Sequence, residues 1–165
     1  MRGQQRGATL IELVMTIVIL GIAIAGVVGA FALISGRSAD ALNQTRAVAL
    51  AQLYMDEIIT KKFDEATPQG GVPKYTGACH IGPDSGETRS TFDDVDDYDG
   101  LTDSPPSSVQ SALDDYNGFS VAVTVSCAGS ELGAGIASAD GKRIDLTITA
   151  PGGQTFSFSA YRVNF

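Results

Sequence analysis

RGATLIELVMTIVILGIAIAGVVGAFALIS, residues 6–35, decides how this chain is organised. From Leu13 to Ile34 its only polar side chain is Thr16. Read as a helix, Ala8–Ile34 would be roughly 40 Å long, more than the ~30 Å hydrocarbon core of a bilayer. A secretory signal has a shorter apolar stretch with a small-x-small cleavage site after it. Here the flanking glycine lies before the run, so the segment reads as a retained membrane span. Arg2 and Arg6 precede it, which keeps the N-terminus cytoplasmic and sends the remainder across the membrane. Glu12 stands against this pattern. A charged side chain at mid-bilayer costs about 2.5–3.5 kcal/mol, so an acid there is expected to have a partner and a task.

Composition narrows the classes. The 165 residues suit one ordinary domain, and nineteen acidic against eleven basic residues give a net charge of −8. With no basic stripe to displace phosphate counterions, no nucleic-acid partner is expected. The two cysteines, Cys79 and Cys127, fit no zinc or CxxC spacing. Both follow the span, so export would place them where a structural disulfide forms, and their pairing is expected. His80 is the single histidine and sits in a Gly/Pro-rich loop, where exposure is expected; it supports no His-based nucleophile system. Gly21, Gly26 and Gly29 lie within the span rather than between a strand and a helix, so they make no phosphate loop. Catalytic activity is not expected, nor is a cofactor.

RGATLIE, with Gly7 ahead of a Thr-Leu-Ile-Glu string and a long apolar helix, resembles the class III signal of type IV prepilins and type II secretion pseudopilins. The resemblance implies cleavage after Gly7 by a prepilin peptidase and N-methylation of Ala8, a position where the family more often has Phe or Met. It also gives Glu12 a task. Four residues beyond the new α-amine, the acid would engage the N-terminal amine of a neighbouring subunit during filament growth. A helix N-terminus favours a carboxylate, and pairing with an ammonium offsets its burial. The plainer alternative is a Glu that snorkels to the headgroups of an ordinary signal anchor.

After Ser35 an amphipathic pattern follows, with Leu42, Ala49, Leu50, Leu53 and Tyr54 on one arc, interrupted by Asn43 and Arg46. Pro68 and Gly70-Gly71 should stop the helix, giving one helix from about Ala8 to Phe63, roughly 80 Å long. Residues 68–118 are rich in Pro, Gly, Asp and Ser and read as a long connecting loop with short local structure. GFSVAVTVSC (118–127), KRIDLTITA (142–150) and TFSFSAYRVNF (155–165) alternate as strands, the last pair joined by PGGQ.

TFDDVDDYDGLTD holds Asp93, Asp94, Asp96, Asp97, Asp99 and Asp103. Calcium takes six to eight oxygen ligands, which such a string could supply. The EF-hand spacing fails, because placing Gly100 at the turn puts Val95 at the first ligand position and no Glu closes the loop. A solvated acidic loop with one or two Asp capping turns is the favoured reading over bound calcium. This string, MDEI at 55–58, the 142–162 stretch and the two cysteines are most similar to D-type minor pilins of mannose-sensitive haemagglutinin pili.

The expected fold is α+β. It has a leader (1–7), a transmembrane helix half (8–35), an amphipathic helix half (36–66), an irregular loop (67–117) and an antiparallel β-sheet head (118–165) packed on the helix. The expected function is that of a minor prepilin in a type IV pilus, with a possible role in adhesion. Its expected partners are other pilin subunits, the prepilin peptidase and the inner-membrane assembly platform. It would reside as a single-pass inner-membrane protein with a periplasmic head, then in a surface pilus. A type II secretion pseudopilin and a non-polymerising, signal-anchored periplasmic binding protein are the alternatives.

Overall fold

The computed structural model describes residue 7 and residues 9–68, 70–109 and 111–164, and for 35–39 the backbone alone. The expected roles of Arg2, Arg6 and Ala8 fall outside the described residues. The chain forms two compact units that divide between Leu42 and Asn43.

Helix α1 runs Leu10–Ile59. Within the first unit, Leu10–Ile34 is a 25-residue stretch of mean hydropathy 2.9 with none of its side chains buried, long and apolar enough to cross a membrane. Three glycines inside a helix would each cost about 1 kcal/mol in water. In a bilayer every backbone N–H must be satisfied within the segment, and that requirement outweighs them.

The second unit is an α+β head. Its four-stranded antiparallel sheet has the order β1 (Thr102–Asp103), β2 (Ser120–Cys127), β3 (Gly141–Thr149) and β4 (Thr155–Val163). Period-two alternation puts Val121, Val123 and Val125 on one face of β2 and Ile144, Leu146 and Ile148 on the same face of β3, all buried. The register stacks them in rows, Val123 opposite Leu146 and Leu146 opposite Phe158. β3 and β4 are joined through Pro151, Gly152 and Gly153, where both glycines have positive φ.

Against this face pack Ala47, Leu50, Ala51, Tyr54 and Ile58 of α1. This corrects the expected arc, since of its five members only Leu50 and Tyr54 are buried. Leu42 and Leu53 are exposed, as is Ala49. The true stripe is turned toward the alanines because small side chains let the helix approach the sheet closely. Weight given to large apolar residues misplaces it.

One further expectation changes. The helix stops at Ile59, well before Pro68, because tertiary pairing captures the backbone that would continue it. The Lys62 N–H donates to the Asp93 carbonyl at 3.1 Å, and the Val95 N–H donates to the Lys62 carbonyl at 3.1 Å. The short local structure expected in the connecting loop includes strand β1 at the sheet edge, Thr102 pairing with Ala122. Cys79 and Cys127 are joined, tying that region to the end of β2.

Candidate functional site

The N-terminal segment is built by one cap. Thr9 precedes α1 and accepts at its Oγ1 from the Glu12 N–H at 3.4 Å, half of a Thr-x-x-Glu capping box. The Thr9 carbonyl accepts from the Glu12 and Leu13 N–H groups at 3.1 and 3.2 Å. Thr16, the other polar residue here, donates its hydroxyl to the Glu12 carbonyl at 2.7 Å and so hides its polarity within the helix. The Glu12 carboxylate lies in the first turn, where the helix dipole favours an anion. It is exposed and has no hydrogen-bond or ion-pair partner among the described residues. Leu10, Ile11, Leu13 and Val14 around it are all exposed. Gly7 is described and exposed, and a Cβ there would meet nothing within 4 Å.

The acidic string of the head is organised rather than solvated, which corrects the sequence reading. Asp94, Asp96 and Asp97 are buried. Asp94 Oδ1 accepts from the Asp96 and Asp97 N–H groups at 3.0 and 3.3 Å, and Asp97 Oδ2 from those of Asp93 and Asp94 at 2.9 and 3.1 Å. Asp99 Oδ1 accepts from the Val125 N–H at 2.8 Å and fixes the string to β2. Asp96 pairs with the fully buried Lys142 ammonium, which also donates to the Phe63 carbonyl at 2.7 Å. His80, exposed as expected, sets Nδ1 3.3 Å from Asp96.

A second group closes over the end of α1. Arg89 donates to both oxygens of Glu57, at 3.1 and 2.9 Å, and pairs with Asp103, while its guanidinium lies 4.8 Å from the centre of the Tyr54 ring. Tyr98 donates its hydroxyl to Glu57 at 2.9 Å. Burial raises both tyrosine hydroxyls, Tyr54 to about 12. No composition argument finds these groups. Lys142 had a signal, because it shares the inward parity of Ile144, Leu146 and Ile148. Arg89 had none beyond being a lone cation in an acidic stretch.

Two carboxylate groups lie close enough to hold a cation, Glu65 with Asp93 and Asp94, and Glu87 with Asp93 and Asp97. Several of these oxygens already serve protein partners: one from Asp94 and one from Asp97 hold backbone N–H groups, and Asp93 pairs with Lys62 at 2.6 Å. Carboxyls are also set against one another. Burial, followed by the hydrogen bond with Asp96, pushes the Asp94 carboxyl up to about 8. Hydrogen bonds to Asp93 and Asp97 raise Glu65 and Glu87 respectively.

Residues 2–28 match the prokaryotic N-terminal methylation motif, which type IV pilin and pseudopilin precursors carry. No curated protein and no solved structure matches the chain.

Proposed function

We propose that this chain is a minor prepilin, cleaved after Gly7 by a prepilin peptidase, methylated at Ala8 and incorporated into a type IV pilus. The observation that carries the reading is Glu12, an acid without a partner among the described residues on the exposed apolar stretch Leu10–Ile34, inside the methylation motif. A lone anchor gains nothing from that carboxylate. A filament does, because an α-amine from an adjoining subunit can neutralise it as the apolar helices pack together and exclude water. The subunit's role is structural and non-catalytic, and it needs no cofactor. Before assembly it spans the inner membrane with its N-terminus in the cytoplasm. Its partners are the peptidase, the assembly platform and other pilins, and the similarity of its acidic string and cysteines favours the mannose-sensitive haemagglutinin type over a secretion pseudopilus.

The test is Glu12→Ala. The variant should insert in the membrane as the wild type does, yet be lost from sheared filaments. Equal recovery of both proteins in the sheared fraction would sink the proposal.

A further inference from the structure

We infer that the head carries a binding site for a small carboxylate ligand, in a cavity of about 600 Å³ beside the end of α1. Segments near Phe63, Pro68 and Arg162 line it, so the chain after α1 and the end of β4 both contribute to its walls. Its volume is within the range that small-molecule sites occupy, about 300–1,000 Å³. The inference rests on the head alone and does not depend on the filament reading.

Two independent features point to an anion. The first is unmet hydrogen bonding. Among the described residues three buried side-chain atoms have no partner, Thr67 Oγ1, Arg162 Nε and Asp93 Oδ1, and all three residues line this cavity. A buried polar group left unsatisfied costs roughly 1–3 kcal/mol, so a cavity walled by residues with two donors and one acceptor unmet gains from a ligand that brings a carboxylate together with a hydroxyl or amide N–H.

The second is charge. Among the described cations of the head, Lys62, Lys74, Arg89, Lys142 and Arg143 each have a carboxylate partner. Arg46, Lys61 and Arg162 have none among the described residues, and two of these three line the cavity. In a chain of net charge −8 such cations are scarce. Lys61 spends one N–H on the Phe92 carbonyl at 2.6 Å, which leaves two donors. The single carboxylate in the described lining, Asp93, is held by Lys62 through Oδ2 at 2.6 Å, while its Oδ1 is left to accept from a hydroxyl or amide N–H of the ligand.

The remaining polar lining is committed. Asn164 bonds the Tyr75 backbone through both its oxygen and its amide, at 3.1 and 2.7 Å. The rim turns at Gly70 and Gly71, whose φ values of +88° and +77° exclude bulkier residues at little strain. Val72 and Val163 add apolar surface. Guanidinium, ammonium and hydroxyl donors beside apolar walls fit a carboxylate borne on a partly apolar body, such as an acidic sugar or an acylated amino acid.

Full-length protein in detergent micelles should be titrated calorimetrically with glucuronate and with N-acetylphenylalanine, alongside their neutral twins glucose and N-acetylphenylalaninamide. At least one acid should bind while its twin does not, and which acid binds identifies the ligand's source. Arg162→Gln should weaken binding roughly ten- to a hundredfold, the range for a hydrogen bond to a charged group. Lys61→Gln and Thr67→Val should each weaken it several-fold, with every variant shown to be folded at the assay temperature by its near-ultraviolet circular dichroism. Failure of both acids to bind, equal binding of acid and twin, or full affinity in Arg162→Gln would overturn the inference.

Discussion

Asp94 should make the head less stable as pH rises. Its carboxyl is 3% exposed and sits beside the Asp96 and Asp97 charges, and burial with the Asp96 hydrogen bond raises it to about 8. Lys142 opposes the shift without cancelling it. In the unfolded chain the group titrates near 3.9. The folded state therefore holds an extra proton between about pH 4 and pH 8. Stability from this group is complete below pH 4 and falls until pH passes 8. From pH 6 to pH 9 the formal loss is about 2.7 kcal/mol, and halving it for solvent screening leaves about 1–1.5 kcal/mol. For a unit of this size that is roughly 5 °C in Tm. Thermal unfolding of the full chain in micelles, followed by the near-ultraviolet signal of the buried tyrosines, reads it directly. Asp94→Asn supplies the matching control. Its amide oxygen can still accept from the Asp96 and Asp97 N–H groups, and its NH₂ can donate toward Asp96 as the protonated acid does. The variant should lose most of the pH slope and exceed the wild type at pH 9. A wild type equally stable at pH 6 and pH 9, or a variant that keeps the slope, refutes the reasoning.

Lys142→Met should cost about 3–5 kcal/mol, because it strands the buried Asp96 carboxylate; adding Asp96→Asn should recover part of the loss, as denaturant midpoints would show. Replacing both Cys79 and Cys127 by Ala opens a loop of 48 residues and should cost roughly 4 kcal/mol on the loop-entropy account. Alkylation and mass measurement without prior reduction should find no free thiol in the wild type, and two added alkyl groups would deny the bond.

Long-period patterns were legible and long-range polar pairing was not. The span and the three main strands follow from runs of apolar residues whose periods survive any tertiary context. The helix face is hard to place from sequence because Ala47 and Ala51 carry little hydrophobic weight, yet their small size is what lets α1 lie against the sheet. The helix end was misplaced because its competitor, the pairing of Lys62 with Asp93 and Val95, lies some thirty residues along the chain. The acidic string looked solvated for the same reason, since its burial depends on Lys142, 46 residues beyond Asp96. At the N-terminus the sequence alone marks Gly7 and Glu12, because the partners proposed for them are a peptidase and a neighbouring subunit rather than this chain.

The central claim is that Gly7-Ala8 is a prepilin peptidase site, and the most direct measurement is the mass of the N-terminal peptide from membrane-purified protein. The account expects a peptide that begins at Ala8 and carries one N-methyl group, with Gly7→Val retaining the seven-residue leader. A wild-type peptide that begins at Met1, in cells with an active prepilin peptidase, would contradict it.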